Sequence, residues 1–398
     1  MTIAAPIRSL YVHVPFCHTI CGYCDFYSVV YDRGRITPLV GALLCELDQC
    51  GRRYAPALRT IYVGGGTPTT LPPNELSRLL TAVRSDVEFA GPISDRPAES
   101  AVGSVADRTC CEFTVEANPA TVTPEIADVL MGCAVTRVSI GAQSFHPSEL
   151  RVLDRLHAPP QVGQTVAICR RAGIPQVNLD LIFAIPGQTL ESWLANLRQA
   201  VELGPDHLSC YGLTYEHGTP LYERLQRGQV RQADSELEAE MYEATIDTLA
   251  AAGYRQYEIS NFAKPGCECR HNLVYWRNEQ YLGVGPSAAG YVDAVRYRNV
   301  PDVAAYVHAV SAGRSPRVEE ERRSLDQQAR ETAMLSLRLT DGLDRRTFAA
   351  RFGRDATELF ADAVRRHVSL GLLEVSDGAI RLTRRGLLLA DSVISDFL

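Results

Sequence analysis

Residues 10–26 read LYVHVPFCHTICGYCDF. The short apolar run Leu10–Val14 has the length and composition of a strand. Cys17, Cys21 and Cys24 follow at once, a C-x3-C-x2-C spacing that stops at Asp25-Phe26. Thiolates are the ligands of iron–sulfur clusters and of structural zinc. A closed zinc site needs four protein ligands, and no second Cys-x-x-Cys pair stands at finger spacing, although His13 or His18 is available to complete one. A [4Fe-4S] cubane held by three cysteines instead leaves one iron open, as catalytic metal sites keep a position for substrate.

Outward from this stretch, five further apolar runs read as strands: Thr60–Val63, Glu112–Glu116, Arg137–Ile140, Val177–Phe183 and His207–Leu213. Amphipathic segments lie between most of them: Pro38–Cys50, Glu75–Val87, Pro124–Met131, Val162–Ala172 and Leu190–Leu203. Repeated strand–helix units predict a parallel sheet with helices outside. Six such units fall short of the eight that close a full barrel. The expected fold class is therefore α/β, a partial (β/α)6 TIM-like barrel. Nearly every strand ends in an unusual cluster: HVPFC, GGGTP, EANP, IGAQS and DLIFAIPG. In parallel α/β sheets the ligand site lies at the carboxyl ends of the strands, so these clusters converge on one mouth. Turn formation accounts for the Gly and Pro there but not for Glu116, Gln143 and Asp180 together.

The domains expected are a barrel over 1–225, a connecting region over 226–315 and a smaller domain over 316–398. Residues 89–108, rich in Pro, Gly, Ser and Asp, read as a flexible surface insertion. The last domain reads as a C-terminal α+β winged-helix-like accessory domain, with Ser376-Asp377-Gly378 as a hairpin turn and Gly371 capping the preceding helix. Winged helices often bind DNA, but Val318–Leu398 carries 13 basic and 14 acidic residues, without the basic excess of a nucleic-acid face. The whole chain has a formal net charge of −7, which also argues against nucleic acid or an anionic membrane as partner. MTIAAPIRSLYVHV lacks the pattern of a signal peptide, and no run of about 18 apolar residues suggests a membrane span. A cytoplasmic location is expected, with any membrane contact made through a partner. There the twelve cysteines stay reduced, and clustered ones read as metal ligands.

C-x3-C-x2-C directly after a first strand, with Tyr23 before the last cysteine, resembles the signature of the radical S-adenosylmethionine (SAM) superfamily. The resemblance implies a [4Fe-4S] cluster on Cys17, Cys21 and Cys24, whose open iron chelates the amino and carboxylate groups of SAM. An electron from the cluster, supplied by a donor, then cleaves the sulfonium to a 5'-deoxyadenosyl radical. It also implies the partial barrel of the radical SAM type. YVHVPFC, GGGTPT, EANP, GAQSF, a DLI-x-x-IPGQT run, YEISNFA and HNLVYW together resemble the oxygen-independent coproporphyrinogen III oxidase family. More closely they resemble its HemW-type branch of heme chaperones. That resemblance implies Tyr11 beside the cofactor, Gly64, Gly65, Gly66 and Thr67 along its methionyl end, and Glu116 accepting hydrogen bonds from its amine or ribose. Gln143, Arg155 and Asp180 match positions that in the oxidase contact a second SAM; a salt bridge between Arg155 and Asp180 at the barrel rim is the structural alternative.

Two features separate the branches. The oxidases carry a further cysteine two residues after the third, where this chain has Phe26. The change spares every cluster ligand but removes a residue associated with the porphyrinogen reaction. The HemW-type branch also carries HNxxYW, here His271, Asn272, Tyr275 and Trp276, associated with heme binding. His271 offers an imidazole nitrogen, and Tyr275 and Trp276 offer flat faces to a porphyrin. A hydrogen-bonded structural histidine is the other reading of His271. Cys267 and Cys269 lie just upstream, but Cys-x-x-Cys-His is absent. The resemblance thus implies a heme chaperone that passes heme to acceptor proteins. The alternative is an anaerobic coproporphyrinogen III oxidase of heme biosynthesis, against which Phe26 stands.

Overall fold

The computed structural model describes residues 6–88 and 111–398. The insertion expected at 89–108 lies outside the described residues. Six strands run parallel in chain order: β1 Ser9–Val14, β2 Thr60–Gly65, β3 Glu112–Ala117, β4 Arg137–Gln143, β5 Gln176–Phe183 and β6 His207–Gly212. Each corresponds to an expected strand with its ends displaced by a few residues. Between them lie α1 Arg33–Tyr54, α2 Pro73–Glu88, α3 Pro124–Gly132, α4 Pro159–Ala172 and α5 Leu190–Glu202. Helix starts follow local chemistry. Thr123 accepts from the Ile126 amide ahead of Pro124, and Thr189 accepts from Ser192, each satisfying an orphan donor of the first turn. Gly173, at φ +87°, ends α4 in the left-handed conformation.

Side chains alternate along each strand, and here the alternation sorts them by polarity. Leu10, Val12, Ile61, Val63, Phe113, Val115, Val138, Ile140, Leu179 and Leu208 belong to one apolar core shared with the helices. The intervening positions are polar. Thr60 donates to Ser9 at 2.9 Å, Ser139 to Asp180 at 3.0 Å, and Asn178 bridges Asp180 and His207 at 2.8 and 2.6 Å. The inner face of this barrel is therefore a hydrogen-bonded polar column, and the apolar packing lies between strands and helices.

The sheet does not stop at six strands. Leu282–Val284 pairs parallel with β1, while Asn261–Ala263 pairs antiparallel with β6 and carries Arg255–Gln256 on its far side, nine strands in all. A separate core spans Ala329 to Phe397, around Phe348, Phe352, Phe360 and Phe397, whereas Arg317–Arg322, inside the last domain expected over 316–398, pairs with Val295–Asn299 of the preceding region. The helices of this core surround a small antiparallel sheet of Leu343–Asp344, Ala379–Leu382 and Leu373–Val375. The hairpin turns at Ser376, whose amide donates to Ala379 O at 2.9 Å, and Gly371 follows its helix at φ +68°. No helix among the described residues is long and apolar enough to cross a membrane.

Candidate cluster and cofactor site

A cavity of about 510 Å³ opens at the carboxyl ends of the strands. Cys17, Cys21 and Cys24 line it, together with Gly65, Gly66, Thr67, Glu116, Gln143, Arg155 and Asp180. The cysteine loop is held between neighbours on both sides. Val29 and Tyr31 amides donate to Pro15 O and Cys17 O at 2.9 and 2.8 Å, and the Leu221 amide donates to Gly22 O at 2.7 Å. The glycine turn is bonded to the same loop, Gly66 N to Val14 O at 2.9 Å and Thr67 N to Phe16 O at 2.7 Å. Adjacency of β1 and β2 thus places the thiols beside the GGGT backbone.

This donor set fits a cluster. The three thiols are half-buried and form no disulfide. Thr67 Oγ1 lies 3.6 Å from Cys17 Sγ, and Arg155 Nη1 donates to Cys21 Sγ at 3.5 Å. Burial raises the Cys17 thiol and pushes Cys24 up to about 11, so cluster binding must displace their protons. Among the described residues no three His, Cys, Asp or Glu side chains close on one point as a mononuclear site requires. A cubane makes no such demand, since each cysteine takes a different iron.

Why glycine stands at 64–66 is steric. A Cβ on Gly64 would meet the Glu116 carboxyl at 2.6 Å, and Gly65 sits at φ +106°. A Cβ on Gly66 would stand 2.6 Å from the Pro15 carbonyl carbon and 2.7 Å from Phe16 O, backbone atoms that cannot turn away. Gly66→Ala is therefore expected to destabilise the protein by about 1–3 kcal/mol and to lower its reconstituted iron content. Gly41→Ala, in α1 with nothing within 4 Å of its Cβ, serves as the control and should leave both unchanged or improve stability. Melting curves and iron analysis decide it.

The two carboxylates are held differently. Glu116 Oε1 accepts from Tyr62 OH at 2.7 Å and Oε2 from the Gly65 amide at 2.9 Å. Burial nevertheless pushes its pKa to about 7, with those bonds opposing the rise and Asp180 adding to it. Asp180 accepts from Ser139 and Asn178, and burial raises its pKa as well. Arg155 does not pair with Asp180: its guanidinium goes to Gly141 O and Cys21 Sγ, so the rim salt bridge is not formed. Gln143, at φ +63°, follows a register shift between β4 and β5, a bulge that re-aims a side chain at a sheet end. Tyr62, Ser139 and Asn178 do not stand out in the sequence. Their only signal there is the period of two that they share with Glu116 and Asp180.

Tyr11 and Gly64 lie beneath the lining residues. Tyr11 OH bonds His13 Nδ1 at 3.0 Å, and its ring is 6.2 Å from that of Tyr62. The HNLVYW residues fall elsewhere. They form α6, Arg270–Trp276, against the start of β2, the opposite end of the strands from the thiols. Glu112, at the start of β3, accepts the Arg270 and His271 amides at 2.8 Å each and so caps the helix. His271 is fully buried. Its Nδ1 bonds Thr60 Oγ1 at 2.9 Å and its Nε2 bonds Tyr275 OH at 2.8 Å. Thr60 spends its proton on Ser9, which makes Nδ1 the protonated nitrogen and Nε2 the acceptor. Burial drives the His271 pKa down to about 3, so it is a neutral imidazole with both nitrogens engaged. Trp276 faces the other way, under the Arg338 guanidinium at 4.7 Å, and its carbonyl accepts from Ser336. Asn272 is half-buried on the same helix. Cys269 Sγ contacts Glu112 Oε1 at 3.6 Å, while Cys267 is half-buried.

With this geometry in view, comparison with known proteins is specific. The radical SAM superfamily profile matches residues 11–200, and that of the HemN C-terminal domain matches 324–389. A protein of Bacillus subtilis named heme chaperone HemW is 34% identical over 393 residues, 98% of this chain and 99% of that one. The Mycobacterium tuberculosis protein of the same name is 36% identical over 98% of this chain and 94% of its own. Among solved structures, Escherichia coli coproporphyrinogen III oxidase (HemN) superposes with a TM-score of 0.81 at 23% identity, over 98% of this chain and 90% of that one. That likeness is one of fold, and it takes in the C-terminal domain as well as the barrel.

Proposed function

Because the chain belongs to the radical SAM superfamily and to its HemW heme chaperones, we propose that it binds heme and passes it to acceptor proteins while carrying a cluster and SAM. Membership of the superfamily implies SAM and a [4Fe-4S] cluster. The observation that carries the heme reading is the match over nearly the full length of both chains to relatives named as heme chaperones. Phe26 at the mouth of the cavity agrees with it. When bound, cluster and SAM supply one-electron chemistry at the open iron. Cys17, Cys21 and Cys24 would hold the cluster, and Gly65, Gly66 and Thr67 would leave the backbone open to the methionyl group. Glu116 would take the amine or ribose, with Tyr62 and the Gly65 amide fixing its carboxylate in the meantime. The acceptor proteins and the electron donor are proposed as classes only. The proposed compartment is the cytoplasm, where free thiols are kept reduced.

Reconstituted protein is expected to take up hemin stoichiometrically with a Soret band and to form no protoporphyrinogen from coproporphyrinogen III with SAM and reductant. Product formation without hemin uptake would instead make it the oxidase.

Glu116 also gives the site a pH dependence. An iron-bound amine or a ribose hydroxyl donating to it favours the carboxylate, so SAM binding releases the proton held below about pH 7. SAM affinity should therefore rise with pH, by up to about tenfold per unit below pH 7, and level off above it. In the protein without SAM the sign is opposite. The raised Glu116 pKa favours the folded state at low pH, and that contribution is lost as pH rises through 7. Isothermal titration from pH 5.5 to 8.5 checks the first statement, and Glu116→Gln should flatten the profile.

A further inference from the structure

The cavity mouth carries more exposed apolar surface than cofactor binding uses. Leu156 is 77% exposed, Phe26 70%, Tyr211 41% and Ile20 40%, and all four line the cavity opening. They come from three separate stretches: the cysteine loop, the segment after Pro147–Val152, and the end of β6. Isolated exposed apolar residues are ordinary, but a ring of them around one concave site marks a binding surface. The interior behind the ring is polar and is shaped by the thiols, Glu116, Asp180 and Arg155. The cluster and SAM are assigned to that interior, and among the described residues none covers the apolar ring outside it.

One histidine belongs to the same mouth. Of the cavity-lining residues only His18 carries an imidazole. It is exposed, its ring lies 5.3 Å from Tyr31, and among the described residues no side-chain hydrogen bond engages it. His13, His207 and His271 each have both ring nitrogens occupied inside the barrel. An apolar ring with a free imidazole in it has the chemistry that receives a metalloporphyrin: flat carbon surface for the macrocycle and nitrogen for the iron. The Asp25 and Asp154 carboxylates share the mouth and repel the anionic propionate edge, so the macrocycle enters by its apolar edge with the propionates left in water.

We propose that heme docks across the cavity mouth on Ile20, Phe26, Leu156 and Tyr211 with His18 as an axial ligand, and not at HNLVYW. This rests on the heme-chaperone reading and gives it a place. Cargo would then sit directly over the cluster and SAM, and loading of the cofactor cavity would be felt by the heme. Phe26, in the position of the oxidase's further cysteine, would serve as carbon surface for the macrocycle.

The test uses anaerobically purified, cluster-reconstituted full-length protein with SAM, titrated with hemin and separately with iron-free protoporphyrin IX. Iron content and cluster absorbance are measured on every variant, since His18 adjoins Cys17. His18→Ala should shift the Soret band and weaken hemin binding while leaving protoporphyrin IX binding within about twofold. Phe26→Ser should weaken both ligands by about tenfold or more. Both side chains are exposed, so both variants should fold and keep the cluster. Wild-type hemin affinity and Soret position in both variants would overturn the site. So would loss of hemin binding in His271→Gln, with circular dichroism intact, while His18→Ala binds normally. If the unmodified protein takes up no hemin, the heme-chaperone reading itself falls, an outcome distinct from the other two.

Discussion

Cys21→Ala is expected to abolish the [4Fe-4S] cluster, with the brown absorbance lost and iron content falling to background. Two cysteines do not hold a cubane that already lacks a fourth protein ligand. No fourth cysteine lines the cavity to take its place, and the other donors there, His18, Asp25 and Glu116 among them, are not thiols. Cys21 also accepts from Arg155, whose other guanidinium nitrogen is tied to Gly141 O. Arg155 therefore stays in place, and the effect on the protein without its cluster should be within about 1 kcal/mol. Far-ultraviolet circular dichroism and a melting curve within a few degrees of wild type would show that the loss is one of ligation and not of folding. Cluster absorbance that survived in Cys21→Ala would remove Cys21 from the ligand set. Reconstitution of the wild type should also weaken at lower pH, since burial holds Cys17 and Cys24 as thiols whose protons the iron must displace.

The sequence was most informative where chemistry is local. Strands β1–β6 are long enough for an apolar run to register, and their ends carry Gly, Pro and carboxylates in short clusters. The site was legible for the same reason, since all of those clusters fall at carboxyl ends of parallel strands. Arg255–Gln256, Asn261–Ala263 and Leu282–Val284 went unread because two or three residues carry no period; what makes them strands is the neighbouring edge they bind. The polar column of Ser139, Asn178 and His207 was hidden by the same alternation that formed it, as it looks like any half-exposed strand until the sheet curls. His271 shows the sharpest limit. Its residue type and motif suggest a ligand, whereas its burial depends on Thr60, 211 positions away in sequence. A single chain read from end to end does not reveal such a contact.

His271→Ala is accordingly expected to act on stability first. Loss of the ring leaves a cavity at the foot of the barrel and leaves Thr60 Oγ1 and Tyr275 OH without their partner, a cost of about 2–5 kcal/mol. Tyr62, whose ring lies 5.3 Å from His271, loses its support and with it the hold on Glu116, so SAM affinity should fall as well. Tyr275→Phe removes only the hydroxyl that donates to Nε2 and should cost about 1 kcal/mol, which gives a milder variant if the alanine folds poorly. The acid limb of stability carries the sign. With its folded pKa near 3, below the ordinary 6.5, His271 stabilises the fold fully above pH 6.5 and progressively less as pH falls towards 3, because the unfolded chain takes up the proton. His271→Ala should start lower and lose less between those limits than wild type, measured by urea unfolding across that range. His13, His157 and His207 share the downward direction but are common to both proteins, so the difference isolates His271. A variant as stable as wild type, with an unchanged acid limb and an altered hemin spectrum, would instead return His271 to the heme iron.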